Sequence, residues 1–165
     1  MHQIIVGVDP GIVHTGLVVL EFDTEALTYR RQFAVVDGLD AAKAEAEIRT
    51  MLPTSRLDVT EIFIEKYRPR SGFSVDQRMM QANAEFKSEL GGRLLQNTGV
   101  MQVVGKPLLQ LLHVWNFGQS THHQDLRSAA RIAVLGMLLD PLLNQTLFIY
   151  VTDNLEGRQW DVRTD

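Results

Sequence analysis

Ile4, Ile5, Val6 and Val8 form an apolar run that ends at Asp9. A run apolar at both parities predicts a strand covered on both faces, and so a central place in its sheet. After a turn at Pro10 and Gly11, residues Thr15 to Phe22 predict a second β-branched strand, and Thr28 to Val36 a third. The short polar links between them predict an antiparallel meander. Residues Ala41 to Leu52 are rich in strong helix formers and stop at Pro53, as a helix does. The segment TEIFIEKY, residues 60–67, predicts a fourth strand with Glu65 near its carboxyl end. A strand reached through a helix in this way is expected to lie parallel to the first.

Ser74 and Gln77 have the spacing of a capping box, and Met79, Ala82, Phe86, Leu90 and Leu94 follow at helical intervals, predicting a helix that ends near Gly99. VMQVV, residues 100–104, is expected as a fifth strand, and the leucines between Pro107 and Trp115 as a short buried helix. Thr121 and Gln124 repeat the capping-box spacing before a last long helix that ends ahead of Pro141. Residues 153–165 are expected to be a loosely held polar tail on a single domain of residues 1–152. The sum is an α/β fold: a mixed five-stranded sheet, three antiparallel strands and then parallel ones, flanked by helices. Sites in such sheets form beyond the carboxyl ends of parallel strands, where Asp9 and Glu65 fall.

Composition narrows the setting. A chain of 165 residues without cysteine is large enough to fold as one core without disulfides, and no basic-then-apolar leader precedes the first strand. No apolar stretch approaches the roughly 20 residues of a membrane helix, so a soluble, cytoplasmic protein without a membrane partner is expected. The net charge of −4 is unevenly spread: residues 1–65 carry 5 basic and 11 acidic side chains, whereas residues 66–106 carry 7 basic and 3 acidic. A locally basic middle segment suits contact with phosphates, and equally suits a solvated helix face.

Taken singly, Asp9 reads as a turn residue, a cap or a ligand, and Glu65 as a solvated strand end or a ligand. His122 and Asp125 are three apart, which on a helix keeps both side chains on one face, and in a first turn the helix dipole suits a carboxylate beside a neutral imidazole. Carboxylates from two strand ends and a helix would repel unless a cation sat between them. Hard oxygen donors at that density favour Mg2+ or Mn2+, and a pair of such ions suits phosphodiester cleavage.

The three segments together resemble a family. IIVGVDPGIVHTGLVVLEF, with its Asp-Pro-Gly turn and following Thr-Gly, resembles the first hairpin of the RuvC-like Holliday junction resolvases; IFIEKY resembles their second acidic strand; HHQDLRSAARIA resembles their final acidic helix. The resemblance covers about residues 3–140 and is nearest to shorter, phage-type members, because KPLLQLLHVWNFGQSTHH lacks the Gly- and Lys-bearing segment usual in bacterial ones. It implies an RNase H-like fold, with Asp9, Glu65, His122 and Asp125 as catalytic and metal-site residues. It further implies two Mg2+ or Mn2+ ions per site, branched DNA as partner, a homodimer, and a bacterial or phage-infected cell.

Lys66, Tyr67, Arg68, Arg70, Phe73 and Arg78 follow Glu65 closely, and Lys106 lies just past the expected fifth strand; all seven are candidate DNA contacts. Phe73 reads equally as a hydrophobic staple on the following helix. That helix carries two apolar stripes, Met79/Phe86/Leu90/Leu94 and Met80/Ala84/Gly91/Leu95, one of which is free to pair subunits. Two other functions share these features. One is a related nuclease acting on RNA, which activity on RNA hairpins separates. The other is an actin-like nucleotide-binding protein, which needs two such domains.

Overall fold

The computed structural model describes residues 1–52, 60–69 and 71–164. Its elements in chain order are β1 (His2–Asp9), β2 (His14–Asp23), β3 (Thr28–Asp37), α1 (Ala41–Met51), β4 (Thr60–Glu65), α2 (Gln77–Leu90), β5 (Arg93–Leu95), α3 (Val100–Val103), α4 (Lys106–Leu111), α5 (His123–Leu139), α6 (Pro141–Leu155) and β6 (Asp161–Thr164). One mixed sheet runs in the order β5-β4-β1-β2-β3-β6. The first three strands are antiparallel neighbours, and β4 lies parallel to β1, as the crossover through α1 requires. Pro53, expected to stop α1, and Arg70 lie outside the described residues.

The run on β1 is buried on both faces. Ile4, Val6 and Val8 join Leu17, Val19, Ile48 and Phe86 under α1 and α2. Ile5, Val18, Leu20 and Phe22 join the core beneath α5 and α6. On that second face the α5 backbone comes directly onto the strands at two glycines. A Cβ at Gly7 would stand 2.0 Å from the Ala129 carbonyl oxygen, and one at Gly16 would stand 2.6 Å from the Asp125 carbonyl oxygen. Ala129, Ala133 and Gly136 supply the small face that permits this, with the Phe63 ring filling the space over Gly136.

Several elements differ from the sequence expectation, each for a local reason. The helix over residues 77–90 ends at Gly91, which takes the left-handed conformation at φ 65°, so it stops well before Gly99. Leu94 therefore leaves the helix, and Arg93–Leu95 becomes the fifth strand, paired with β4. VMQVV is helical instead: Val100 and Val104, four apart, are buried while Met101 and Val103 are exposed, so packing overrides β propensity. Asp76, rather than Ser74, caps α2 by accepting from the Arg78 amide at 3.0 Å. His122, rather than Thr121, occupies the α5 cap position, without a side-chain cap bond.

The apolar residues after Pro141 form α6, and the segment expected as a loose tail is held down. Trp160 is buried and its indole donates to Asp153 Oδ2 at 3.0 Å. Residues Asp161–Thr164 then add a sixth strand beside β3. Among the described residues no single helix is long and apolar enough to cross a membrane.

The seating of α5 makes a stability prediction. Gly7→Ala must lift the helix and is expected to cost about 3 kcal/mol, the upper range for overpacking. Gly105→Ala, whose Cβ would meet Pro107 Cδ at an ordinary 3.6 Å, should change stability by no more than about 1 kcal/mol. Urea unfolding distinguishes them; equal midpoints would show that the glycine contact does not set the helix position.

Candidate functional site

β1 and β4 bring the first two acids together by register. Val8 lies opposite Ile64 in the parallel pair, so the next residue on each strand, Asp9 and Glu65, stand side by side at the carboxyl edge. Asp9 is opposite Gly16 on its other side, and Gly16 lies under the Asp125 backbone. The same close approach that seats α5 therefore delivers Asp125, in the first turn of that helix, to the two strand ends.

The consequence is electrostatic. Asp9 is raised from its ordinary 3.8 to about 9, first by burial, then by the Glu65 charge and a hydrogen bond shared with the Glu65 carboxyl, and then by Asp125. A negative charge on Asp9 is thus disfavoured by both desolvation and repulsion. A hard divalent cation would relieve both, and the donor set of carboxylates with one imidazole fits Mg2+ or Mn2+. Among the described residues no three His, Asp or Glu side chains surround one point closely enough to cage an ion as they stand. Asp125 Oδ2 is turned to His122 Nδ1 at 3.6 Å, and Glu65 Oε1 accepts from the Asn97 amide.

His122 is therefore brought beside Asp125, as the three-residue spacing predicts, although it precedes the helix instead of lying in its first turn. His123 points to the Phe117 amide, which donates to its Nδ1 at 3.2 Å. Lys66, Tyr67 and Arg68 line an open cleft of roughly 750 Å3 together with Asp9, Glu65, Met79, Asn97 and Thr98. Tyr67 is not a free ring there: its amide donates to Asn83 Oδ1 at 2.5 Å, and its hydroxyl accepts from the Asp76 amide at 3.1 Å. Phe73 is 74% exposed, which removes the staple reading. Arg78 is hydrogen-bonded to Asp76 by its guanidinium, so its charge is already matched. Lys106 does not line the cleft and stands by Trp115, 5.1 Å from the ring centroid.

Three residues of the site had no part in the sequence reading. Asn83 lies buried on α2 between Ala82 and Phe86, and donates to the Glu65 carbonyl at 3.1 Å. A polar side chain inside an apolar helical stripe was the signal for it. Asn97 follows β5 in a stretch whose strand was hidden by the helix period. His14 opens β2, where its ring meets His122 edge-on with centroids 4.2 Å apart and its Nδ1 is 3.3 Å from Asp37 Oδ1. Only the register that sets His14 opposite Asp37 exposes that cluster.

No family model and no curated protein matches the sequence. Solved structures do match. Thermus thermophilus RuvC in complex with a Holliday junction substrate is 19% identical, with a TM-score of 0.54 over 80% of this chain and 90% of that one. A second Thermus thermophilus RuvC structure matches at 19% identity and TM-score 0.54, over 80% and 92% of the two chains. The fold is thus the RNase H-like fold seen in RuvC.

The raised Asp9 value carries a pH signature. In the metal-free folded chain Asp9 keeps its proton between its ordinary value and about 9, whereas the unfolded chain releases it, so stability falls as pH rises through that window. Relative to Asp9→Asn, metal-free wild type should lose thermal stability from pH 5 to pH 9. At about 1.4 kcal/mol per pH unit of that window and about 2–4 °C per kcal/mol for a chain of this size, the difference is on the order of 10 °C. Mg2+ or Mn2+ should raise the wild-type midpoint and leave Asp9→Asn nearly unmoved. Parallel curves for the two proteins, with and without ion, would count against a charged ion-binding edge.

Proposed function

We propose that this chain is a metal-dependent, structure-selective DNA endonuclease that resolves four-way junctions by paired phosphodiester nicks. The observation that carries the reading is the meeting of Asp9, Glu65 and Asp125 at one sheet edge, on a fold shared with a RuvC solved on its Holliday junction substrate. Asp9, Glu65, Asp125 and His122 would hold one or two Mg2+ or Mn2+ ions. When bound, such ions lower the pKa of water and stabilise charge on the attacking and leaving oxygens.

The chain's own residues do the rest. Asn83 and Asn97 hold Glu65 by its backbone carbonyl and its carboxylate, so the strand end does not swing away from Asp9. His122, 3.6 Å from Asp125, serves as nitrogen ligand or receives and returns a proton at its ring. Lys66 and Arg68, exposed on the cleft wall, neutralise phosphates flanking the scissile one, while Tyr67 fixes the loop that carries them to α2. Phe73 is free to stack on an unpaired base. Arg70 is assigned to the same group by its place in the sequence.

Paired nicks call for two copies related by a twofold axis. The stripe of α2 that holds Phe86 and Ala82 is used inside the chain, whereas Met80 on the same helix is 55% exposed, with Val75 just before it 48% exposed. That uncovered apolar face is the one assigned to the homodimer.

The test is cleavage of a labelled four-way junction, a fork, a linear duplex and an RNA hairpin, with Mg2+ or Mn2+. Wild type should nick the junction symmetrically; Asp9→Asn, Glu65→Gln and Asp125→Asn should each lose about 10³-fold or more, and His122→Ala about 10²-fold. A folded wild-type protein that leaves every branched DNA intact would sink the proposal, and preferential cutting of the hairpin would reassign the substrate to RNA.

A further inference from the structure

Lys106, Arg127 and Arg131 gather round one half-buried indole, that of Trp115. The Arg127 guanidinium lies 3.9 Å from the ring centroid, and its Nε donates to the Trp115 carbonyl at 2.7 Å. Lys106 Nζ and the Arg131 guanidinium stand 5.1 and 6.0 Å from the same centroid. Among the described residues none of the three has a carboxylate partner, whereas Arg49, Arg78, Arg93, Arg158 and Arg163 all have one.

One cation on an indole is explained by attraction to the ring face. Three are not, because the second and third bring like-charge repulsion with them. Burial and the Arg127 charge hold Arg131 below the usual guanidinium value. Its Nε is also buried without a hydrogen-bond partner. In a chain of net charge −4, cations left together and unpaired are arranged for an anion that comes from outside.

The cluster is continuous with the acid edge. Arg131 and Glu65 line one small pocket of roughly 150 Å3, with Asn97, Ser128 and Ile132 between them. Along α5, Arg131 follows Asp125 by six residues, or about 9 Å of helix axis. Lys66 and Arg68 belong to a loop that Asn83 and Tyr67 fasten to α2, while Lys106, Arg127 and Arg131 are carried by α4 and α5. The acidic edge lies between two groups of cations, one on the loop tied to α2 through Tyr67 and to Thr98 through Arg68, the other on α4 and α5.

We infer that Lys106, Arg127 and Arg131, arrayed round Trp115, form a second phosphate-binding surface that holds one duplex arm of a branched DNA, while Lys66 and Arg68 hold another. This rests on the nuclease reading of the acid edge and adds to it a substrate that straddles that edge. The arm on the α5 side runs from Glu65 past Arg131 to Lys106, and Trp115 serves as the rigid plate that spaces the three charges.

The experiment measures binding rather than cleavage, so that it stands apart from the chemistry. Asp9→Asn protein without divalent ions is titrated with a four-way junction and with a short single strand, over a series of salt concentrations. Each phosphate contact contributes about 0.9 to the slope of log K against log salt for duplex DNA. Adding Lys106→Gln, Arg127→Gln and Arg131→Gln together should lower the junction slope by about 3, with little change for the single strand. Arg163→Gln, on β6, should change neither. Junction binding should also alter tryptophan emission, and Trp115→Phe should abolish that response while Trp160 remains. A triple variant that keeps its thermal midpoint and the full junction slope overturns the inference and leaves the nuclease proposal intact. An equal loss of slope on the single strand overturns the assignment to a duplex arm. Absence of junction binding by the parent protein, joined to absence of cleavage by wild type, overturns both.

Discussion

The backbone contact between α5 and the first hairpin is the constraint on which the rest depends. Gly7 and Gly16 lie on neighbouring strands, and at both the α5 backbone occupies the place a side chain would take. Helices usually rest on sheets through interdigitated side chains; here two glycines let carbonyl oxygens of Ala129 and Asp125 come down to the strands themselves. Ala129, Ala133 and Gly136 keep the helix thin along the same line, and Phe63 occupies the volume that Gly136 leaves open. An α5 lifted by one side-chain thickness would still cover the core. It would not bring Asp125 within reach of Asp9, and the acid edge would be a pair.

That proximity is costly by itself. Asp9 is half-buried beside Glu65 and within the field of Asp125, and its pKa is raised to about 9 by desolvation first and by the neighbouring negative charges second. Ordinary packing would remove such an arrangement, since replacing one acid would relax it. The neighbours instead hold it in place. Asn83, buried within α2, and Asn97 after β5 both bond to Glu65, one at the carbonyl and one at the carboxylate. His122 stands against Asp125, and His14 stands against His122. Local stability has been spent to keep repelling groups together, which is the pattern expected of a site built for a cation.

How much of this was legible in the sequence follows from the range of each interaction. The central strands announced themselves because β1 is buried on both faces, and the acids were readable because each sits at the end of a strand or start of a helix. What failed was decided over shorter or longer distances than the periodic pattern samples. The end of α2 turns on a single left-handed glycine, Gly91, and β5 is only three residues long, fixed by its pairing with β4. The helical α3 is selected by two valines four apart in a segment of high β propensity. The polar end of the chain is tied down by one tryptophan, Trp160, and by an edge strand whose partner β3 lies over a hundred residues earlier. His14 and Asn97 could be recognised only once the register placed them.

Pairing in space also sets the charge balance, which by segment is basic over residues 66–106 and acidic elsewhere. Residues 66–106 are basic by count, yet Arg78 is bonded to Asp76, and Arg93 to Glu61 and Asp140. Their charges are matched before any ligand arrives, and an exposed pair of this kind changes the surface field little. Arg127 and Arg131 lie in the acidic remainder of the chain, yet remain without carboxylate partners because α5 carries them to Trp115 and away from the acids around them in sequence. The field that a phosphate would meet is therefore set by pairing in space, not by net charge along the chain. Lys66 and Arg68 on one side of the acid edge, with Lys106, Arg127 and Arg131 on the other, form a cationic border round an anionic centre. An acidic chain can hold a polyanion on those terms, provided that the centre itself is neutralised by an ion.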